Sequence, residues 1–97
     1  MPSKPLSIRD IKSRFAKVAK DYPITRASVF GSYAEGRQTT NSDIDLLVEF
    51  DDAISIYTLA RLKLKMEEST GRNVDIVPTP IPAESFVRIR KEVPIYG

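Results

Sequence analysis

Two aspartates that begin an apolar segment have the clearest potential for chemistry in this sequence. Asp43 and Asp45 flank Ile44 at the start of a predicted strand over residues 44–50. Because side chains alternate along a strand, we expect both carboxylates on one face, with Cα atoms about 6.6 Å apart, and Ile44 in the opposite layer. Such a pair could converge on one hard cation or bracket two cations about 3.5–4 Å apart. Most isolated Asp-x-Asp pairs are simply solvated, so the interpretation needs further residues.

A third acid, Asp75, interrupts the apolar segment Val74–Val77. If this strand pairs beside the strand of Asp43 and Asp45, three carboxylates meet on one face. The alternative is an edge-strand residue that faces water. The chain contains no His and no Cys, which excludes an imidazole base and a thiolate nucleophile. Three oxygen donors without nitrogen or sulfur favour Mg²⁺ or Mn²⁺ over Zn²⁺.

A phosphate-binding turn is predicted directly after the first strand. Gly31 allows backbone N–H groups to approach an anion closely, and the helical turn that follows would point the positive end of its dipole there. Ser32 would add a hydroxyl donor. Taken alone, a Gly-Ser-x-x-x-Gly stretch is more often an ordinary strand-to-helix turn. The combination of Gly31-Ser32 with Gly36 four residues later and Asp-x-Asp at this separation is what favours a nucleotide site.

The elements that must position these residues follow from hydrophobic periodicity and capping signals. Together they predict one α+β domain spanning residues 1–97, a small mixed sheet flanked by helices, with a catalytic core over about 24–92. The predicted elements are a helix over about 7–21, strands over 24–30, 44–50 and 73–77, a helical turn over 32–36, a loop over 37–42, a helix over 55–69 and a last helix over about 83–92.

The helix over 55–69 carries more apolar residues than one sheet face needs. One stripe contains Ile56, Leu59, Leu62 and Met66, and a second contains Tyr57, Ala60 and Leu64. Either the helix is deeply packed, or part of the second stripe contacts a partner protein.

Composition excludes several classes of protein. The net charge of +2 is too small to predict nucleic-acid binding by itself. No segment approaches the roughly 18 consecutive apolar residues of a membrane span, and residues 1–5 carry no signal-peptide core. A cytoplasmic protein with no direct nucleic-acid ligand is therefore expected.

The segment Phe30–Val48, Phe-Gly-Ser-Tyr-Ala-Glu-Gly-Arg-Gln-Thr-Thr-Asn-Ser-Asp-Ile-Asp-Leu-Leu-Val, resembles the signature of the DNA polymerase β-type nucleotidyltransferases. It is most similar to their smallest branch, the MNT antitoxins that accompany HEPN ribonucleases. The resemblance implies that Gly31 and Ser32 contact the triphosphate of ATP. It also implies that Asp43 and Asp45 hold two Mg²⁺ (or Mn²⁺) ions. Asp75 would complete the metal site and take the proton from the attacking hydroxyl, a tyrosine of the HEPN toxin.

Two positions depart from the pattern of that branch. Glu35 stands where Arg is usual, and position 33, often Arg, is Tyr33. A carboxylate near a triphosphate repels it, so either Glu35 points away or the site is weakened. Arg37 is the nearest substitute and is predicted to bind phosphate.

Three functions therefore remain open at this point. The first is a metal-dependent transfer of AMP that silences a HEPN toxin. The second is an antitoxin that masks the toxin stoichiometrically, which Glu35, Tyr33 and the broad apolar helix would favour. The third, a small nucleic-acid-binding protein, lacks the interleaved aromatic residues that base stacking needs.

Overall fold

In the computed structural model, which describes residues 6–79 and 91–97, two helices pack against a four-stranded sheet. The strand order is β3-β2-β1-β4, with β2 and β3 parallel and the other neighbouring pairs antiparallel. The predicted α+β class and mixed sheet are confirmed. In chain order the elements are α1 (Ile8–Ala19), β1 (Ile24–Phe30), β2 (Ile44–Phe50), α2 (Ile56–Thr70), β3 (Val74–Thr79) and β4 (Glu92–Tyr96).

Helix α1 begins at a reciprocal cap. The Asp10 N–H donates to the Ser7 hydroxyl at 3.0 Å, and the Ser7 N–H donates to the Asp10 carboxylate at 3.2 Å. These bonds satisfy two backbone donors that the first turn would otherwise leave unpaired. Ile11, Phe15 and Ala19 then follow at helical spacing and are fully buried. The helix is therefore held by one apolar stripe against the sheet.

Strand β2 lies inside the sheet, between β1 and β3. Ile44, Leu46 and Val48 enter the core that the helices cover, which confirms the predicted orientation of Ile44. Alternation places Asp45 and Glu49 on the opposite face. Because parallel strands need a long crossover, α2 is the connection that returns the chain from β2 to β3.

Helix α2 is capped at both ends but only partly buried. Its Ser55 hydroxyl accepts from the Thr58 N–H at 3.2 Å, and Gly71 ends it with a left-handed φ of 69°. Leu62 and Met66 lie in the core. The N-terminal half is different, because Ile56 is 76% exposed and Tyr57 is 81% exposed. Deep packing of the whole helix was therefore the wrong alternative for these residues.

The strands differ from prediction in two places, and the strand in each place contains a proline. The third strand was predicted to stop before Pro78 but continues through it to Thr79. Strand β4 was not predicted, and it contains Pro94. Both strands are at edges of the sheet, where a missing N–H breaks no central ladder.

The predicted last helix over about 83–92 lies almost entirely outside the described residues. Its C-terminal limit is wrong, because Glu92 pairs with Phe30 as the first residue of β4. No helix in the described ranges has the length and apolar character that crossing a membrane requires.

Candidate active site

Asp45 is the half-buried acid at the centre of the candidate site. It lies on β2, on the sheet face away from the helices. Burial raises the pKa of Asp45 above its ordinary value, and the negative charges of Asp75 and then Asp43 raise it further. Asp75 and Asp43 are thus each close enough to Asp45 for their negative charges to act on it. A cation at this position would relieve that repulsion.

Asp75 stands directly opposite Asp45 across the parallel β2–β3 pair. The predicted pairing of the two acidic strands is therefore observed. The Asp75 side chain is exposed, and its Oδ1 lies 4.0 Å from Nζ of Lys63 on α2. An exposed pair at this separation contributes little to stability, so it leaves Asp75 available for other contacts.

Asp43 is exposed and immediately precedes β2. It lines a polar cleft of about 340 Å³ together with residues from the loop before β2, the last turn of α2 and the segment before β3, namely Thr40, Asn41, Ser42, Glu67, Gly71, Arg72 and Asn73. Asp43 and Asp45 are separated by the fully buried Ile44, as the alternation of a strand predicts.

Gly31 is fixed by its contact with Asp45. Its φ of 72° is in the left-handed region, and a Cβ at this position would meet Oδ2 of Asp45 and lie 3.3 Å from its Cγ. Phe30, the preceding residue, pairs with Asp45 across the β1–β2 ladder. Gly36 has a similar φ of 75°, but a Cβ there would meet nothing within 4 Å. Only Gly31 is therefore required by the close approach of a carboxylate.

The predicted helical turn after Gly31 is present. The Glu35 N–H donates to the Gly31 carbonyl at 3.0 Å, and the Arg37 N–H donates to the Ser32 carbonyl at 2.9 Å. Tyr33 anchors the turn, because its side chain is 1% exposed and belongs to the hydrophobic core. Tyr33 consequently does not replace a phosphate-binding Arg.

Glu35 and Arg37 form a pair within this turn. Arg37 donates to Oε1 of Glu35 from Nη2 at 3.0 Å and from Nε at 3.2 Å. The positive charge of Arg37 therefore offsets the negative charge of the Glu35 carboxylate, which was expected to repel a triphosphate. In this arrangement Arg37 is engaged with Glu35, and its predicted contact with phosphate stays a prediction.

The acids suit a hard cation by the chemistry of their oxygen atoms, but they do not form a complete coordination site. In residues 6–79 and 91–97, no three acidic side chains are arranged so that they could hold a metal ion as they stand. The donor set nevertheless consists of carboxylates, with a raised pKa at Asp45 that a cation would lower. The assignment of Asp43, Asp45 and Asp75 as metal ligands stays a prediction.

Lys63 is the residue near the site that sequence reasoning missed. It contacts Asp75 and lines a second groove with Ile56, Leu59, Ala60 and Ile76. A signal existed, because positions 56, 59, 60 and 63 share one side of a helix. A lysine at such a position is usually solvated, and only the packing of α2 against β3 distinguishes it.

Comparison with known proteins defines the class. Residues 11–95 match the family described as "Nucleotidyltransferase domain", and the chain belongs to this family. A Methanocaldococcus jannaschii protein named "Putative protein adenylyltransferase MJ0435" is 42% identical over 72 residues, which are 74% of this chain and 77% of the relative. The resemblance to nucleotidyltransferases is confirmed.

Solved structures of similar fold include two toxin–antitoxin complexes. A chain of "the toxin-antitoxin with AMP-PNP" superposes with a TM-score of 0.76 at 23% identity, covering 89% of this chain and 73% of that one. A chain from the complex of "tri-AMPylated Shewanella oneidensis HEPN toxin" with "MNT antitoxin" gives a TM-score of 0.68 at 20% identity, covering 93% and 72%. At these identities the likeness shows the fold alone.

Proposed function

We propose that this nucleotidyltransferase moves AMP from ATP to a tyrosine hydroxyl of a HEPN toxin and so acts as its antitoxin. The observation that carries the proposal is the contact of Asp45 with Gly31 on one side and its register with Asp75 on the other. These two relations bring the turn after Gly31, Asp45 and Asp75 into one neighbourhood, which supports a joint role. The names of the relative and of the two structural neighbours, which specify adenylyl transfer, AMP-PNP and an AMPylated HEPN toxin, supply the substrate and partner.

The turn at Gly31 would bind the triphosphate. Without a side chain at Gly31, backbone N–H groups can approach a phosphate closely, and the Ser32 hydroxyl can donate to it. Pairing of Glu35 with Arg37 reduces the repulsion that an unpaired carboxylate would exert there. Nucleotide affinity is thus retuned rather than lost.

Asp43, Asp45 and Asp75 would hold two Mg²⁺ (or Mn²⁺) ions. When bound, such ions neutralise charge on the phosphates and make the acceptor hydroxyl more acidic. The protein's part is to place carboxylates on adjacent strands, so that positioning and electrostatics supply most of the acceleration.

Asp75 would take the proton from the acceptor hydroxyl. The acceptor oxygen then forms a bond to the α-phosphorus of ATP, the bond from that phosphorus to the bridging oxygen breaks, and pyrophosphate leaves. ATP is a cytoplasmic metabolite and the chain has no Cys, so we place the reaction in the cytoplasm.

The test is transfer of label from α-³²P-ATP, with Mg²⁺, to a HEPN-domain partner that is co-purified or supplied. We expect the labelling rate of the double variant Asp43→Asn/Asp45→Asn to fall about 100-fold or more. Loss of a residue that only supports a metal ligand costs less than this. Equal labelling by wild type and this variant would overturn the proposal.

A matched pair of glycine variants tests the turn in the same assay. Gly31→Ala and Gly36→Ala both place a side chain at positive φ, at roughly 1–2 kcal/mol each. Only Gly31→Ala drives a Cβ into Asp45. We therefore expect similar losses of stability but a loss of labelling in Gly31→Ala alone. If both variants label the partner as wild type does, the Gly31–Asp45 contact has no part in transfer.

A second function, stoichiometric masking of the toxin, is favoured by one observation. Ile56, Tyr57 and Leu64 of α2 are exposed large apolar residues, which suits a protein-binding surface. One variant distinguishes the two functions. If masking alone neutralises the toxin, Asp43→Asn/Asp45→Asn should still silence it. Silencing that disappears together with labelling would favour catalysis.

A further inference from the structure

A groove of about 220 Å³ lies between α2 and β3, at an edge of the sheet. Helix α2 contributes Ile56, Leu59, Ala60 and Lys63, and β3 contributes Asp75 and Ile76. Four of these six residues are apolar, and the other two form the Lys63–Asp75 pair. A small apolar groove with a polar pair among its lining residues suits a ligand that has an apolar body and a polar tip.

The groove shares one residue, Asp75, with the candidate active site. Asp75 lines the groove and also stands opposite Asp45 across the β2–β3 ladder. A group held in the groove would therefore have its polar end beside Asp75 and Lys63. Among residues 6–79 and 91–97, packing does not account for the groove, because Ile56 is 76% exposed and Ala60 is also exposed.

We infer that this groove is the acceptor subsite, and that it takes the phenol ring of a tyrosine on the partner protein. The inference rests on the proposed function and specifies where its second substrate binds. The faces of the ring would pack on Ile56, Leu59 and Ile76, and its hydroxyl would lie between Asp75 and Lys63.

The chemistry of a phenol fits this pair. The hydroxyl proton passes to the Asp75 carboxylate, the phenol oxygen bonds to the α-phosphorus, and pyrophosphate leaves with the electrons of the broken bond. The Lys63 ammonium favours negative charge on the phenol oxygen as the proton departs. A serine or threonine side chain is too short to use the apolar walls, so the groove selects tyrosine.

The experiment fills the groove and compares it with an equivalent change elsewhere. Ala60→Phe places a ring in the groove, whereas Ala16→Phe places the same ring on the exposed face of α1. Label transfer from α-³²P-ATP is measured against the concentration of the HEPN partner, and AMP-PNP affinity is measured separately. We expect Ala60→Phe to raise the KM for the partner about tenfold or more while its affinity for AMP-PNP stays the same. Ala16→Phe should have the wild-type KM for the partner and the wild-type affinity for AMP-PNP.

A second pair guards against indirect effects of a bulky residue. Ile56→Ser removes a wall of the groove, and Leu64→Ser removes an exposed apolar residue of the same helix that does not line it. The inference requires a higher partner KM in Ile56→Ser than in Leu64→Ser.

The outcomes separate this inference from the proposed function. If wild type transfers label and Ala60→Phe has a wild-type partner KM, the acceptor binds elsewhere and the inference is wrong. If Ala60→Phe weakens AMP-PNP instead, the groove holds the nucleotide and the inference is equally wrong. If wild type transfers no label to the partner, the proposed function fails and the acceptor subsite fails with it.

Discussion

The two helices belong to one hydrophobic core but use their apolar residues differently. All three buried residues of α1 are inaccessible, and they run the length of the helix from Ile11 to Ala19. Helix α2 buries Leu62 and Met66 in its C-terminal half and exposes Ile56 and Tyr57 at its start. The comparison indicates that α1 is scaffold throughout. Helix α2 is scaffold at one end and a wall of the site at the other.

The largest expected effect separates these roles by stability. Phe15→Ala should lower the free energy of unfolding by about 3–5 kcal/mol, because it opens a cavity in a fully buried position. Ile56→Ala should change it by no more than about 0.5 kcal/mol, because the side chain is exposed. Urea unfolding followed by circular dichroism measures both. A loss above about 2 kcal/mol in Ile56→Ala would show that the start of α2 is scaffold after all.

A smaller effect sharpens the comparison at the helix starts. Ser7→Ala and Ser55→Ala each remove a capping hydroxyl and should each lower the free energy of unfolding by about 1 kcal/mol. Only Ser55 precedes residues that line the groove, so only Ser55→Ala should also raise the KM for the partner in the labelling assay. Raised KM values in both variants would mean that the loss reflects general instability.

The smallest effect is a pH dependence confined to α1. Hydrogen bonds from the Ser7 backbone and side chain lower the pKa of Asp10 below its ordinary value of 3.8. A lowered pKa in the folded state gives stability that is present above the unfolded value and lost as the pH falls through the folded one. The first turn of α2 contains no acid, so its cap does not share this dependence.

Asp10→Asn keeps an oxygen acceptor but cannot titrate. We expect wild type to be more stable than Asp10→Asn at pH 6 and the difference to shrink steadily as the pH is lowered below 4. The raised pKa of Asp45 acts in both proteins and cancels from the difference. Urea midpoints at several pH values provide the measurement. A difference that is constant with pH would contradict the assigned cause.

The sequence predicted what local pattern determines. The strands at 24–30 and 44–50 and the turn after Gly31 all depend on neighbouring residues, and the structure confirms them. Strand β4 escaped prediction because its pairing with β1 is a tertiary event, and Pro94 argues locally against a strand.

The site divides in the same way. The prediction that Asp43, Asp45 and Asp75 share one site followed from strand periodicity and resemblance, and the structure confirms the pairing of Asp45 with Asp75. Three other features became visible only in the folded structure. These are the contact of Asp45 with Gly31, the burial of Tyr33 in the core and the pairing of Glu35 with Arg37. Each of these contacts is one of several that the side chain could make. Local sequence does not determine which of them forms.

The parallel pairing of β2 with β3 has a consequence for the order in which the site assembles. The antiparallel β1–β2 pair can form without the rest of the chain and brings Gly31 to Asp45. Asp75 reaches Asp45 only after α2 has closed the crossover, and closing a longer loop costs more chain entropy. We expect a nascent or partly unfolded chain to form the Gly31–Asp45 contact before it pairs Asp75 with Asp45. Under the proposed function, such a chain would bind ATP before it is able to transfer AMP.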